Sequence, residues 1–343
     1  MAEPILSVRD LKTQFFGPEG VVRAVDGVDF DVFEGRTLGV VGESGCGKSV
    51  TARSVLGIVD RPGRVVGGSI MLRPAKGGPA VDLAKLSNEE MRRYRGPEIA
   101  LVFQEPMASF SQHYTIGNQI SEGIKLHMGL DERAAKKRAI ELLDMVGVPQ
   151  PARRVDDYPF QLSGGLRQRV MIAMALSCDP RVLIADEPTT ALDVTTQAQI
   201  LDLLRSLQAQ RGLAIILITH DMGVIAEMAH DVSVMYLGRA VESGSVQEIF
   251  NRPQHPYTRA LLKSIPTVLA KPRTRLPTIA GSIPHPFNRP RGCAYHPRCA
   301  EMIGAVCAGA EPPPVDTPDG RQVRCFLHGG REAAEAEMAG AKA

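Results

Sequence analysis

The sequence has no excess of charge of either sign and no long hydrophobic run. Its 40 basic and 38 acidic residues leave a net charge of +2, which gives no electrostatic reason to expect a nucleic-acid partner. No apolar stretch approaches the roughly 20 residues that span a bilayer. Residues 1–4 contain neither the basic nor the apolar segment of an export signal. We therefore expect a cytoplasmic protein that reaches a membrane only through a partner.

Closely spaced C-x2-C pairs, which are typical of zinc ribbons, are also missing. Four of the six cysteines lie near the end of the chain with the spacing C-x5-C-x7-C-x17-C, at Cys293, Cys299, Cys307 and Cys325. In a reducing compartment, clustered cysteines indicate metal ligands more often than disulfides. Four thiolates suit a tetrahedral zinc ion or an iron–sulfur cluster. Free buried thiols are the remaining alternative.

The apolar runs that are present predict an α/β fold. Short runs at 38–41, 99–103, 182–185, 214–218 and 232–236 are typical of buried strands, and segments with helical spacing alternate with them. This alternation indicates a parallel sheet that is covered by helices on both faces. Residues 5–35 alternate as strands do. From about 112 to 178 the pattern is helical, which predicts an insertion of helices into the α/β core.

The composition changes near residue 250. Prolines recur from there to residue 314 and exclude long regular elements. We therefore expect one domain over 1–250 and a separate Pro- and Cys-rich appendage over 251–330. Residues 331–343 are rich in Ala and Glu and are expected to form a frayed or disordered tail.

One glycine-rich stretch after the first buried run has the pattern G-x4-G-K-S, the phosphate-binding loop called Walker A. Strand, loop and helix in this order place backbone N–H groups and a helix N-terminus around one anion. Lys48 would reach the β- and γ-phosphates, and Ser49 would bind magnesium. The alternative is a glycine-rich turn that happens to contain a lysine. The candidate phosphate-binding residues are Gly42, Glu43, Ser44, Gly45, Cys46, Gly47, Lys48, Ser49 and Val50.

A second chemical motif ends the run at 182–185, where two carboxylates follow the strand as in Walker B. Asp186 could hold magnesium, and Glu187 could polarise the water that attacks the γ-phosphate. An isolated Asp-Glu pair would more often lie in a solvated loop, but a Walker A motif upstream favours the catalytic interpretation.

A third motif resembles a second anion site. Ser163 is a natural helix N-cap, and two glycines after it leave backbone N–H groups free. Because one nucleotide does not need two such helix N-termini from one chain, we predict that this motif acts on a nucleotide held by another subunit. Its residues are Ser163, Gly164, Gly165, Leu166 and Gln168.

Taken together, these motifs resemble the ATP-binding cassette (ABC) ATPases. Walker A (42–49), Gln104, the LSGG signature (162–165), Walker B (182–187), the D-loop residue Asp193 and His220 occur in the order of that family. The resemblance implies a P-loop core with a mixed sheet flanked by helices, an antiparallel N-terminal β subdomain and a helical insertion.

The resemblance also implies roles for single residues. Two cassettes would close face to face, each ATP lying between the Walker A of one and the signature of the other. Gln104 would be a catalytic residue and a magnesium ligand, and would link the nucleotide to the helices that grip membrane subunits. His220 would contact the γ-phosphate and position Glu187. Phe16 could stack on adenine, although it could equally pack on the edge of a sheet.

Longer stretches around the three motifs, and His255-Pro256-Tyr257-Thr258, resemble the dipeptide/oligopeptide permease ATPases. That resemblance favours a 4Fe–4S cluster on the four cysteines, with zinc as second choice. It implies a peptide importer on the cytoplasmic face of the inner membrane. Its partners would be a second ATPase subunit, identical or related, two transmembrane permease subunits and an extracytoplasmic substrate-binding protein. Nickel, glutathione, opines or oligosaccharides are alternative cargoes, and a soluble ABC ATPase outside transport is the less favoured alternative.

Overall fold

The computed structural model describes residues 3–75, 77–265 and 278–340. Within these ranges the chain forms two sheets, one of four strands and one of eight. The strands are β1 (Leu6–Gly17), β2 (Gly20–Val32), β3 (Thr37–Val41), β4 (Gly63–Leu72), β5 (Val81–Asp82), β6 (Ile99–Val102), β7 (Val182–Asp186), β8 (Ala214–Thr219), β9 (Asp231–Tyr236), β10 (Arg239–Ser245), β11 (Val315–Asp316) and β12 (Gln322–Val323).

Helices connect and cover these strands, and within the described part of the chain none is long and apolar enough to cross a membrane. They are α1 (Lys48–Val55), α2 (Asn88–Met91), α3 (Pro106–Ser109), α4 (Ile116–Met128), α5 (Glu132–Met145), α6 (Pro151–Arg154), α7 (Gly164–Ala175), α8 (Val194–Arg211), α9 (Met222–Met228), α10 (Val246–Asn251), α11 (Pro256–Lys263), α12 (Ala305–Gly309) and α13 (Arg331–Gly340). Short 3₁₀ helices lie at Leu83–Lys85, Pro159–Gln161, Pro286–Asn288 and His296–Arg298.

The larger sheet has the order β11-β12-β10-β9-β3-β8-β7-β6, and its strands from β9 to β6 run parallel. Strands β3, β7 and β8 are buried along their whole length, which explains why their sequences are continuously apolar. The predicted α/β fold with a mixed sheet is confirmed. Because parallel strands end at the same side of a sheet, the residues that follow β3, β6, β7 and β8 gather at one side.

The smaller sheet is antiparallel and has the order β2-β1-β4-β5. Its apolar side chains share one hydrophobic core with Val40, Ile184 and Ile216 of the larger sheet. The small sheet and α1 therefore cover one face of the large sheet. A second core on the other face includes Ile120 of α4 and Leu142 of α5, both fully buried. Helices α4, α5 and α7 lie between β6 and β7 along the chain and pack on one another.

The C-terminal region adds strands to the large sheet. Strand β12 pairs antiparallel with β10, and β11 pairs with β12. Residues 331–340 form α13, which differs from the predicted disordered tail. Ala334 and Met338, spaced by one helical turn, pack with Val306 and Phe326, so a tertiary contact stabilises a helix that the local composition does not predict. Residues 341–343 of that predicted tail lie outside the described residues.

A largely buried ionic cluster connects the C-terminal region to β2 of the small sheet. The Asp26 carboxylate accepts hydrogen bonds from Arg239 at 2.9 Å and from Arg289 at 2.6 Å, and Glu311 contacts both arginines. Burial raises the pKa of Asp26, but the Arg239 and Arg289 guanidinium groups outweigh that effect and hold the pKa below its usual value. The ionised carboxylate therefore stabilises the fold.

Replacing Asp26 with Asn should lower the free energy of unfolding by about 3 kcal/mol, because two partly buried arginines lose their buried carboxylate partner and keep only the more exposed Glu311. The folded-state pKa is depressed, so this stabilisation is complete above the unfolded pKa of about 3.9 and disappears as the pH falls through the folded value. Denaturant unfolding at about pH 7 and about pH 2 measures both effects, because the stabilisation is lost only below the unfolded pKa. Asp202→Asn, which breaks an exposed pair with Arg205, should change stability by less than about 1 kcal/mol. Equal midpoints for Asp26→Asn and wild type at neutral pH would contradict the prediction.

Candidate active site

The Walker A loop connects the buried strand β3 to α1. Gly47 has φ +101°, and a Cβ on it would lie 2.2 Å from the Ala24 carbonyl oxygen. A Cβ on Gly42 would lie 2.2 Å from the Met235 carbonyl oxygen. Glycine is therefore required at both ends of the loop, where neighbouring backbone approaches closely. Ser44 and Gly45, at the tip of the loop, are exposed.

Lys48 is buried and lies against its own loop. Its ammonium donates hydrogen bonds to the carbonyl oxygens of Gly42 at 2.8 Å and Glu43 at 3.2 Å. Cys46 is buried beneath it, and burial raises the pKa of the Cys46 thiol. The loop therefore carries one fixed positive charge at the place where a P-loop needs a cation for the phosphates.

The two predicted magnesium ligands are in contact. The Ser49 hydroxyl donates a hydrogen bond of 3.0 Å to the Asp186 carboxylate at the end of β7. Burial raises the pKa of Asp186, and the hydrogen bond from Ser49 opposes that rise. Gln104 and Asp186 line one cleft of about 590 Å³. Hydroxyl, carboxylate and amide oxygens at one place are the donor types that Mg²⁺ prefers, so these residues fit that ion.

Glu187 lies at the centre of the predicted catalytic residues. Its carboxylate accepts hydrogen bonds from the Gln104 amide at 2.9 Å and from the Thr190 hydroxyl at 2.9 Å. The His220 Nδ1 atom lies 3.3 Å from its other oxygen. Glu187 has a left-handed backbone with φ +47°, which is strained for a residue with a Cβ and typical of active sites. The structure thus brings Gln104, Glu187 and His220 together. The sequence analysis missed Thr190, although it lies only three residues after Glu187.

The signature residues lie at the start of α7. Ser163 caps this helix by accepting a hydrogen bond from the Leu166 N–H group at 3.4 Å, and Ser163 and Gly164 are exposed. A Cβ on Gly165 would lie 2.7 Å from Thr196, so this glycine permits close packing on α8. Gln168 differs from the prediction: it is 2% exposed and lies inside its own subunit. Burial begins at Gln168 and includes Val170 and Met171 after it, because this part of α7 packs inside the subunit, beyond the exposed first turn.

The D-loop residue Asp193 caps α8. Its carboxylate accepts hydrogen bonds from the Thr196 N–H group at 2.9 Å and the Thr196 hydroxyl at 2.7 Å. The hydrogen bonds from Thr196 hold the pKa of Asp193 below its usual value. Asp193 therefore fixes the turn that leads from Walker B into α8.

Phe16 lies at the end of β1 and is 37% exposed. The Arg64 guanidinium lies 4.3 Å from the centre of its ring. A ring that is exposed in part and already stacks with a planar cation is suited to stacking with another flat group.

The four C-terminal cysteines line one small cavity of about 20 Å³ and are all free thiols. Burial raises the pKa of Cys293 and of Cys325 to about 11 each. However, in the part of the chain that the structure describes, no group of three or more His, Cys, Asp or Glu side chains is placed to hold a metal ion. The prediction of a 4Fe–4S cluster or a zinc ion is therefore not supported by this geometry.

Comparison with known proteins gives the class of this protein. The ABC transporter family profile matches residues 25–190. A bacterial ABC transporter cassette solved as a dimer aligns with a TM-score of 0.62 and 25% identity over 70% of this chain and 98% of that chain. The same cassette, bound to ADP and phosphate in a post-hydrolysis dimer, aligns equally well. The chain belongs to the ABC transporter family and is an ABC-type ATPase, as the order of its motifs predicts.

A second match places the chain within that family. Residues 241–307 match the C-terminal region of oligopeptide/dipeptide transporters. The chain is 49% identical over 330 residues to a putative peptide import ATP-binding protein of Brucella melitensis, which covers 94% of this chain and 97% of the relative. It is 46% identical over 321 residues to the dipeptide transport ATP-binding protein DppD of Escherichia coli, covering 94% and 96%. The predicted resemblance to this branch is confirmed.

Proposed function

We propose that this chain powers the import of dipeptides and oligopeptides by hydrolysing ATP on the cytoplasmic side of the membrane. The observation that carries the proposal is the match of residues 241–307 to the C-terminal region of oligopeptide/dipeptide transporters. The hydrogen bonds that converge on Glu187 support the hydrolytic part.

In this mechanism, the Walker A backbone and Lys48 bind the phosphates of ATP, and Ser49, Asp186 and Gln104 would hold Mg²⁺. The ion supplies charge neutralisation when it is bound. Glu187 accepts a hydrogen bond from the attacking water and takes up its proton as the new bond to the γ-phosphorus forms and the bond to ADP breaks. Gln104 and Thr190 orient the Glu187 carboxylate, while His220 contacts the γ-phosphate. Phe16 stacks on adenine.

The exposed Ser163 and Gly164 bind the nucleotide of a second ATPase subunit, identical or related. Closure of the two subunits would then drive two transmembrane permease subunits, which receive cargo from an extracytoplasmic substrate-binding protein. The chain would be a peripheral protein of the inner membrane, held there by the permease subunits.

The test is ATP turnover by the chain in proteoliposomes with its two membrane subunits, its partner ATPase and the binding protein. Dipeptides or oligopeptides should stimulate turnover, and a complex that contains Glu187→Gln should show no stimulation. Stimulation by nickel, glutathione, an opine or an oligosaccharide alone would contradict the peptide assignment. Failure to copurify with any membrane subunit would contradict transport.

The proposal extends to a metal group on Cys293, Cys299, Cys307 and Cys325. Its basis is the donor chemistry, since four thiolates suit an iron–sulfur cluster, or else zinc. The four thiols line one cavity, but the described side chains would have to move closer together to form a metal site. Binding would displace protons from the thiols of Cys293, Cys299 and Cys325, whose pKa is raised by burial. The metal group would cross-link the Pro-rich C-terminal region and so stabilise its fold.

Anaerobically purified protein should contain about four iron and four sulfide ions per chain and absorb near about 400 nm. Cys299→Ser should lose this absorption. Cys178→Ser, which changes a buried thiol outside the cavity, should keep it. A colourless protein with one zinc ion per chain would show that the site binds zinc and not an iron–sulfur cluster. The absence of both metals would refute the four-thiolate site.

A further inference from the structure

Two side chains of the C-terminal region reach the Walker A loop, and both bind the same residue. The Arg298 guanidinium donates two hydrogen bonds to the Glu43 carboxylate, at 2.7 and 3.0 Å. The Tyr257 hydroxyl accepts a hydrogen bond of 2.9 Å from the Glu43 backbone N–H group. Glu43 is therefore held at its side chain and at its backbone by residues more than 200 positions away.

These contacts are buried and fixed. The Arg298 side chain is 4% exposed and that of Glu43 is 21% exposed. The guanidinium also donates to the Ala280 carbonyl at 3.0 Å and to the Tyr236 hydroxyl at 3.3 Å. Bidentate, partly desolvated pairs of this kind combine strength with a defined geometry, unlike exposed ion pairs.

The tyrosine is equally constrained. Tyr257 is fully buried, and its ring packs on those of Tyr236 and Tyr295, with centroids 4.7 and 5.3 Å away. Burial raises the pKa of Tyr257, so the hydroxyl stays neutral and available as an acceptor. The packing of the Tyr257 ring also fixes the direction in which its hydroxyl points.

Glu43 is also the residue on which Lys48 depends. The Lys48 ammonium donates to the carbonyl oxygens of Gly42 and Glu43. A shift of Glu43 therefore moves the acceptors that place the only lysine of the loop. Arg298 and Tyr257 thus act on the phosphate-binding cation through one intermediate residue.

We propose that Arg298 and Tyr257 are positioning residues of the nucleotide site, through which the C-terminal region sets the affinity of the Walker A loop for ATP. The proposal rests on the ATPase function described above. It is independent of the transported substrate and of any metal on the cysteines.

Equilibrium binding of a fluorescent ATP analogue to the full-length chain tests this. Arg298→Met and Glu43→Gln should each raise the Kd about tenfold, and the double variant should bind no more weakly than the worse single variant, because both changes remove the same contact. Tyr257→Phe keeps the ring and removes only the acceptor, so it should raise the Kd about threefold. Arg298→Lys, which keeps the charge but cannot form the bidentate pair, should fall between wild type and Arg298→Met.

Two matched variants serve as controls. Arg259→Met breaks an ion pair with Glu301 in the same region, and Tyr295→Phe alters the same ring cluster without touching Walker A. Both should keep the wild-type Kd. Thermal unfolding without nucleotide distinguishes a positioning role from a purely structural one. A purely structural role would lower the melting temperature but leave the Kd of the folded protein unchanged.

Three results would overturn the inference: a wild-type Kd in both Tyr257→Phe and Arg298→Met, additive effects in the double variant, or equal weakening in the controls. If the wild-type chain itself bound no nucleotide, the ATPase function would fail and not only this inference.

Discussion

The Glu187→Gln variant should bind ATP with near wild-type affinity and hydrolyse it about 1,000-fold more slowly, as expected when a general base is lost. The amide has the shape of the carboxylate, so the pocket formed by Gln104, Thr190 and His220 stays filled. It cannot take a proton from water, and ATP therefore persists between two cassettes. Phosphate release measures the turnover, and gel filtration with Mg–ATP should show the trapped dimer.

Glu141→Gln, on the exposed side of α5, is the matched control and should have wild-type turnover. Unchanged turnover in Glu187→Gln would refute the assigned role of Glu187. Loss of ATP binding in Glu187→Gln would instead mean that the Glu187 carboxylate is needed for the structure of the nucleotide site.

The Lys48→Met variant should bind ATP about 100-fold more weakly than wild type. Methionine keeps much of the buried stem, but it removes a charge-assisted donor, and one or two such hydrogen bonds account for a loss of this size. A fluorescent ATP analogue measures the Kd. The effect should exceed that of Arg298→Met, because in the proposed mechanism Lys48 contacts the phosphates directly, whereas Arg298 acts only through Glu43.

Lys125→Met is the matched control. It removes an exposed lysine of α4 that pairs with Glu132 of α5, and it should leave the Kd for the ATP analogue unchanged. The melting temperature of Lys48→Met without nucleotide should stay near that of wild type, because among the described residues the ammonium bonds only to atoms of its own loop. A wild-type Kd for Lys48→Met would refute the phosphate site.

The parts of the site that lie at strand ends could be predicted from the sequence. Continuous apolar runs identify buried parallel strands, and such strands end on one side of the sheet. Gln104, Glu187 and His220 each follow a strand of this kind, so their meeting follows from the pattern. The glycines Gly42 and Gly47 could be placed because a Cβ at either position would strike backbone, whereas Gly45 is required by its positive φ of +78° and not by any close neighbour.

The remaining features depend on contacts between distant segments. The pair Arg298–Glu43 spans 255 positions and has no local pattern that would reveal it. The burial of Gln168 depends on how α7 is rotated against its neighbours, which the motif does not specify. Helix α13 forms because Met338 and Ala334 find a partner surface, whereas the prediction considered composition alone.

The pairing of β12 with β10 has a consequence for the order in which the chain is made. Strand β10 is synthesised some 80 residues before β12, and during that interval its backbone N–H and C=O groups on that side lack a strand partner. Unpaired strands of this kind associate with other chains. A segment that is made later therefore covers part of a strand edge that would otherwise promote aggregation, and a product truncated before residue 315 keeps that edge open.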